Sequence, residues 1–413
     1  MPSSIPHNCS QHESNVDLIF LGTGTSSSVP HIECLTEPAD SAKAPCRTCL
    51  STLHPEGKKN MRRNTGAVLR LKGKDGNPVT IVIDAGKTFQ AAALEWFPKH
   101  QLRRIDALLI THPHADAMNG LDDLRAWTLN KAIQSHIDLY VSEHTFIEVQ
   151  RAFPYLVAKQ FASGGGDVPE FKWHIISDQE PFEIGETGIK ILPFAVHHGR
   201  FFSRVPPPSY VVTPNATLPP TPKAEVAVLP ISRSNSLLKA SDLLQVNGGG
   251  QKEEEKEKIY PYLSLGFKIE NRLAYISDAS HIPDHIWPIL EPGRTEDGRE
   301  ARLPVFILDC LRLKPHTSHL GLEQAIGAAR RVNAGRTYLT GFSHEVTHEE
   351  YVRLGEIVGG AEYDGGTLTD NEREGSKLLG EGDKLWMRPA HDGLRISVKA
   401  SADGSIEVTD GSY

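Results

Sequence analysis

With 52 acidic against 44 basic side chains among 413 residues, the chain carries a net charge of -8, which gives bulk nucleic acid no electrostatic footprint. Hydrophobic residues at 39% and charged residues at 23% are globular proportions, and no apolar run reaches the length of a membrane span. Residues Met1 to Val16 are polar and lack the apolar stretch of a signal peptide, so the expected compartment is the cytoplasm, with the nucleus left open. Five cysteines in that setting read as thiols or metal ligands rather than as disulfides.

A flexible N-terminus is expected over residues 1–16, followed by a strand at Asp17–Leu21 that ends in the turn Gly22-Thr23-Gly24-Thr25. Cys34 precedes Cys46-Arg47-Thr48-Cys49, whose Cys-x-x-Cys spacing lets a turn present two thiolates to one tetrahedral ion. On spacing alone, a zinc site, free thiols and a redox pair stay open. Asn64 to Leu71 and Pro78 to Ile83 read as paired antiparallel strands around an Asp75-Gly76 turn. The second of them delivers Asp84, a carboxylate placed to orient a metal-binding histidine. A helix is expected across Ala91 to Trp96.

The most informative stretch comes next. The apolar run Ile105 to Ile110 ends in Thr111-His112-Pro113-His114-Ala115-Asp116-Ala117, which leaves two imidazoles and a carboxylate just past a buried strand. Those groups suit zinc, manganese or iron, and the alternative is a solvated histidine-rich turn. A helix is expected over Gly120 to Trp127, then strands at His136–Val141, Lys172–Ile176 and Ile189–Val196, the last ending in His197-His198-Gly199-Arg200. From Val205 to Glu257 prolines, glycines and mixed charge mark an insertion expected to be disordered. Strands resume at Tyr262–Ile269 and at Leu273–Ile276, which delivers Asp278. Val305–Leu308 delivers Asp309-Cys310, a helix is expected at Leu322–Val332, and Thr337–Thr340 delivers Gly341 and His344. Repeatedly, an apolar strand ends in a residue able to bind metal.

Together, Phe20-Leu21-Gly22-Thr23-Gly24-Thr25, Asp84-Ala85-Gly86, Thr111-His112-x-His114-x-Asp116, His198-Gly199 and Ser277-Asp278 resemble, in residue type and order, the metallo-β-lactamase superfamily. Within it the chain is most similar to the branch that holds a bacterial cyclic-phosphate phosphodiesterase and, more distantly, the tRNA 3′-processing nucleases. The resemblance implies an α/β fold, an αββα sandwich over residues 17–400, interrupted by the 205–257 insertion. It also implies that Cys34, Cys46, Cys49 and His344 hold a structural Zn2+, although the first cysteine is more widely spaced here than in the bacterial enzyme. For the catalytic ion, Zn2+ or Mn2+, it implies His112, His114, His198 and Asp278, with Asp116 as a further ligand or as the base that holds the attacking water.

Two departures bear on that centre. The superfamily usually reads His-x-His-x-Asp-His, where this chain has Ala117, and its late strand usually ends in a histidine, where this chain has Gly341. Both missing groups serve a second ion. Unless His281 or His348 turns inward, one catalytic ion is expected. The resemblance also points to His319 as the acid for the leaving group, with His316 as the alternative. Arg200, two positions past His198, is a candidate phosphate contact, against the more common solvated loop arginine.

The expected function is hydrolysis of a small or cyclic phosphodiester by a metal-bound hydroxide. Two other classes stay open: a lactone or thioester hydrolase, and a non-catalytic metal-containing binding protein. No membrane partner is expected, nucleic acid is disfavoured by the mixed charge of the insertion, and oligomeric state is open, a homodimer included.

Overall fold

In the computed structural model the described residues are 15–164, 167–201, 260–294, 300–400 and 405–411. Fifteen of their strands form two mixed sheets. The first contains β1 (Val16–Gly22), β2 (Gly66–Lys72), β3 (Pro78–Ile83), β4 (Ala107–Leu109), β5 (Ile137–Val141) and β6 (Phe171–Ile175). The second contains β7 (Phe182–Glu183), β8 (Lys190–Arg200), β9 (Pro261–Ile269) and β10 (Leu273–Tyr275). A short ribbon, β11 (Gly293–Arg294) with β12 (Glu300–Ala301), stands apart. β13 (Val305–Asp309), β14 (Arg336–Thr340) and β15 (Met387–Pro389) complete the second sheet, and β16 (Arg395–Ala400) and β17 (Ile406–Asp410) return to the first. The orders are β17-β16-β1-β2-β3-β4-β5-β6 and β15-β14-β13-β10-β9-β8-β7.

Period-two patterning explains why the sheets stack between helices. Along β1, Leu18 and Phe20 face an inter-sheet core shared with Ile191, Phe267, Tyr275 and Ile307, while Ile19 and Leu21 face Phe89, Trp96 and Phe97 of the helix Phe89–Lys99. On the far side, Phe194, Ala274 and Phe306 meet Ile326, Ala329 and Val332 of the helix Leu322–Val332. Strands covered on both faces must be apolar throughout, which is why β4, β10 and β13 read as unbroken runs.

The hairpin β2–β3 is antiparallel in the expected register, from Ala67 opposite Ile83 to Lys72 opposite Pro78. The pairs β3–β4, β10–β13 and β13–β14 are parallel. Parallel strands send their C-terminal ends to one edge, where open sheets place their ligand sites.

Elsewhere the structure adds to the expectations or differs from them. The helix expected over Gly120 to Trp127 is a 3-10 turn, Leu121–Leu124, followed by a single α-turn, Arg125–Thr128. Helices Glu143–Ala152, His348–Val358 and Asp370–Lys377 were not anticipated, and β17 continues the first sheet past residue 400. The 205–257 insertion lies outside the described residues, as does nearly all of the expected flexible N-terminus. No helix among the described residues is long and apolar enough to cross a membrane.

Candidate metal centres

The first cluster joins the two ends of the chain. Cys34 sits on the short helix Ile32–Leu35, Cys46 caps the helix Arg47–Ser51 that contains Cys49, and His344 lies just past β14. His344 Nδ1 is 3.3, 3.6 and 3.5 Å from the sulfurs of Cys34, Cys46 and Cys49. A tetrahedral zinc with bonds of ~2.3 Å to sulfur and ~2.0–2.1 Å to nitrogen sets that edge at about 3.6 Å, so the four groups fit the ion. Burial pushes the Cys49 thiol up to about 12 and raises Cys34, so without a cation these thiols stay protonated. The His31 backbone N–H donates to Cys49 Sγ at 3.3 Å and its ring stacks on His344 with centroids 3.9 Å apart, holding the cluster from outside. Buried Arg62 ties the same region together by donating to the carbonyls of Ser343 and Val346.

The second cluster lies at the edge where the parallel strands end. His112, His114 and His198 bring ligand atoms within 4.8 Å of one another, and His198, Asp278 and His319 do the same. Hydrogen bonds fix the ring orientations. The Thr111 hydroxyl and backbone N–H both donate to Asp84, at 2.9 and 2.8 Å, so the hydroxyl oxygen accepts from His112 Nδ1 at 2.8 Å. The proton is thereby assigned to Nδ1, and Nε2 is left buried with no hydrogen-bond partner among the described residues. Asp84 therefore orients a histidine as expected, but through Thr111.

His198 Nδ1 donates to the Ser318 carbonyl at 2.7 Å, which leaves its Nε2 facing His114 Nδ1 at 3.2 Å. Two nitrogens bound to one tetrahedral zinc would be about 3.3 Å apart. Burial holds His112 well below the usual histidine range, and burial with the neighbouring His198 lowers His114 to about 4, so both rings are neutral and able to ligate. Asp278 is buried, which opposes ionisation, but His112, His198 and His319 outweigh that and hold it at about 2. The neutral imidazoles of His112 and His114, with His198 Nε2 facing them and an ionised buried carboxylate alongside, fit a divalent cation.

His319, beyond β13, lies with Nδ1 3.2 Å from Asp309 Oδ2 and 3.8 Å from Asp278 Oδ1. Its burial disfavours charge, yet Asp309 and Asp278 raise it to about 9. Asp116 falls in the first turn of Ala115–Met118, whose N-cap is His114, and is not within the 4.8 Å grouping among the described residues. Burial and then the charge of Asp278 raise its carboxyl, so it faces the same pocket electrostatically.

Neither substitute for the second ion's missing ligands turns inward. His281 is exposed and pairs with His197 across an isolated bridge, while His348 packs on His391 with centroids 5.5 Å apart. His316 bonds to Ser318 Oγ at 3.0 Å on the same loop as His319, and Arg200 is exposed at the end of β8. Sequence reasoning missed Asp309 as the partner of His319, and also Tyr262, whose ring stacks on His114. Asp309 had a signal, as a carboxylate closing an apolar strand, whereas Tyr262 had none.

Residues 79–218 match the family model of a beta-lactamase superfamily domain. An octanoyltransferase of Porphyromonas gingivalis (strain ATCC BAA-308 / W83) is 27% identical over 183 residues, covering 44% of this chain and 31% of that protein. The chain thus spans about a third of the length of that curated relative. The crystal structure of a new diphosphatase from the PhnP family superposes with a TM-score of 0.55 at 22% identity, covering 93% of this chain and 98% of that one. The metallo-beta-lactamase fold protein YhfI from Bacillus subtilis gives 0.47 at 13% identity, covering 97% and 100%. The family match takes in the strands that carry Asp84, His112, His114 and His198. By sequence over residues 79–218 and by backbone over nearly all of its length, this chain has the metallo-β-lactamase fold.

Proposed function

We propose that the chain is a metal-dependent phosphodiesterase that hydrolyses a small or cyclic phosphodiester. The observation that carries this reading is the convergence of His112, His114, His198 and ionised Asp278 at one sheet edge, with buried His319 beside them. The diphosphatase that shares the backbone favours a phosphorus centre over a carboxyl one. Those four residues would hold a divalent ion, which would supply Lewis acidity and the power to lower the pKa of water from about 15.7 toward ~7.

The rest is done by side chains. Asp116 holds the attacking water by hydrogen bonding and takes up its proton. His319, positively charged at neutral pH through Asp309 and Asp278, donates its proton to the departing alkoxide. Asp84 and Thr111 keep His112 aimed, and the Ser318 carbonyl keeps His198 aimed. The separate cysteine site holds a zinc that serves folding rather than chemistry.

The test is turnover of the zinc- or manganese-loaded protein on a panel of cyclic and linear phosphodiesters beside lactones and thioesters. Phosphodiester turnover that Asp278→Ala abolishes is expected. Turnover confined to lactones or thioesters would replace this reading with carboxyl-ester chemistry, and none on any substrate would leave a binding protein.

A further inference from the structure

Gly341 closes β14, where the superfamily resemblance implies a histidine for a second ion. Its φ is +78°, a conformation that side-chain-bearing residues rarely adopt. A Cβ there would overlap Asp309 Oδ1 and come within 3.2 Å of the Ser277 carbonyl oxygen. Asp309 cannot easily move aside. It is fully buried, its Oδ2 accepts from the backbone N–H groups of Ala279 and Leu320 at 3.3 and 3.1 Å, and both its oxygens lie within 3.3 Å of His319 Nδ1. On the other side of the pocket Ala117 is buried and offers no ligand atom.

We propose that Asp309 restricts this pocket to one ion. Its carboxylate takes the space that a side chain at position 341 needs, and it holds His319 as a hydrogen-bonded imidazole 3.8 Å from Asp278. Asp309 is thus a positioning residue that acts through His319. The inference rests on the reading above for the first ion, but not on the identity of the substrate.

Metal per chain, counted by mass spectrometry on folded full-length protein, tests it without any substrate. The wild-type chain is expected to hold one ion besides the structural zinc. The double variant Ala117→His, Gly341→His is expected to hold the same number, because Asp309 still fills the space. Adding Asp309→Ala should raise the count by one. A double variant that gains an ion as fully as the triple overturns the exclusion, as do two ions seen by anomalous scattering in the wild-type pocket or a folded triple variant that gains none. If the triple variant does not fold, Asp309→Gly replaces Asp309→Ala in it, and the wild-type and double-variant counts can still overturn the exclusion. For the positioning role, Asp309→Asn should lower kcat on an alkyl phosphodiester with KM held, and Asp309→Ala should lower it further. Equal loss in both, or loss in KM alone, refutes that role. Failure of the phosphodiesterase reading leaves the metal counts untouched, so the two failures are distinguishable.

Discussion

Tyr262 lies flat against His114, with ring centroids 4.5 Å apart and planes 7° from parallel. His114 is the exposed member of the three-histidine cluster and, among the described residues, has no protein acceptor of the kind that aims His112 and His198. Stacking takes that place. Removing an orienting neighbour of a ligating histidine typically costs roughly 10–100-fold in metal affinity. Tyr262→Ala should therefore weaken the catalytic ion by about that factor, measured by competition with a chromophoric chelator, while Tyr262→Phe keeps the ring and the affinity. Equal affinity in wild type and Tyr262→Ala would show that His114 needs no such support.

The cysteine cluster gives a second expectation. Burial leaves the Cys49 thiol near 12 without a cation, so loss of the ion leaves protonated thiols packed beside an imidazole and removes one of the links between this loop and the end of β14. Cys46→Ser with Cys49→Ser should lose one zinc per chain and melt several degrees lower. Retention of both zinc content and melting temperature would remove the structural role.

How far this arrangement was legible depends on distance along the chain. His112, His114, His198 and Asp278 could be read because each follows an apolar run, and a strand buried on both faces has to be such a run. The hairpin was legible from its Asp-Gly turn. Pairings across the fold were not, since nothing local ties Tyr262 to His114 or Asp309 to position 341. The Thr347-x-x-Glu350 and Thr369-x-x-Glu372 capping boxes start the helices His348–Val358 and Asp370–Lys377, so both helices carry a local signal in the sequence. A side chain at 341 would likewise meet Asp309, a contact that no spacing reveals.

A third expectation concerns pH. Asp392 is buried; it accepts from the Thr23 hydroxyl and the Arg63 backbone N–H, each at 2.9 Å, and burial still pushes it up from 3.8 to about 7. Its folded value is above its unfolded one, so the folded state binds the extra proton between those limits. The stability from this group is full below about pH 4 and is lost as pH rises through about 7. Relative to Asp392→Asn, which does not titrate, wild-type melting temperature should fall progressively from pH 4 to 7 and then level off. A difference that stays constant over that range would show that Asp392 is ionised in the fold throughout.

The last expectation separates the acid from the ion. A second metal would stabilise a leaving oxygen directly, whereas a pocket with one ion must rely on a side chain for that charge. His319 is the group in place, held by Asp309 and raised to about 9, so it is protonated across the neutral range. Nitrophenolate leaves without a proton, while an alkoxide needs one. His319→Ala should thus reduce kcat for an alkyl phosphodiester by roughly 10²–10⁴-fold, the usual worth of a general acid, and reduce it far less for a nitrophenyl ester. His319 also shares a 4.8 Å grouping with His198 and Asp278, so metal content must be measured alongside. An equal loss on both esters together with loss of the ion would make His319 a ligand; an unequal loss with the ion retained is the outcome expected of an acid.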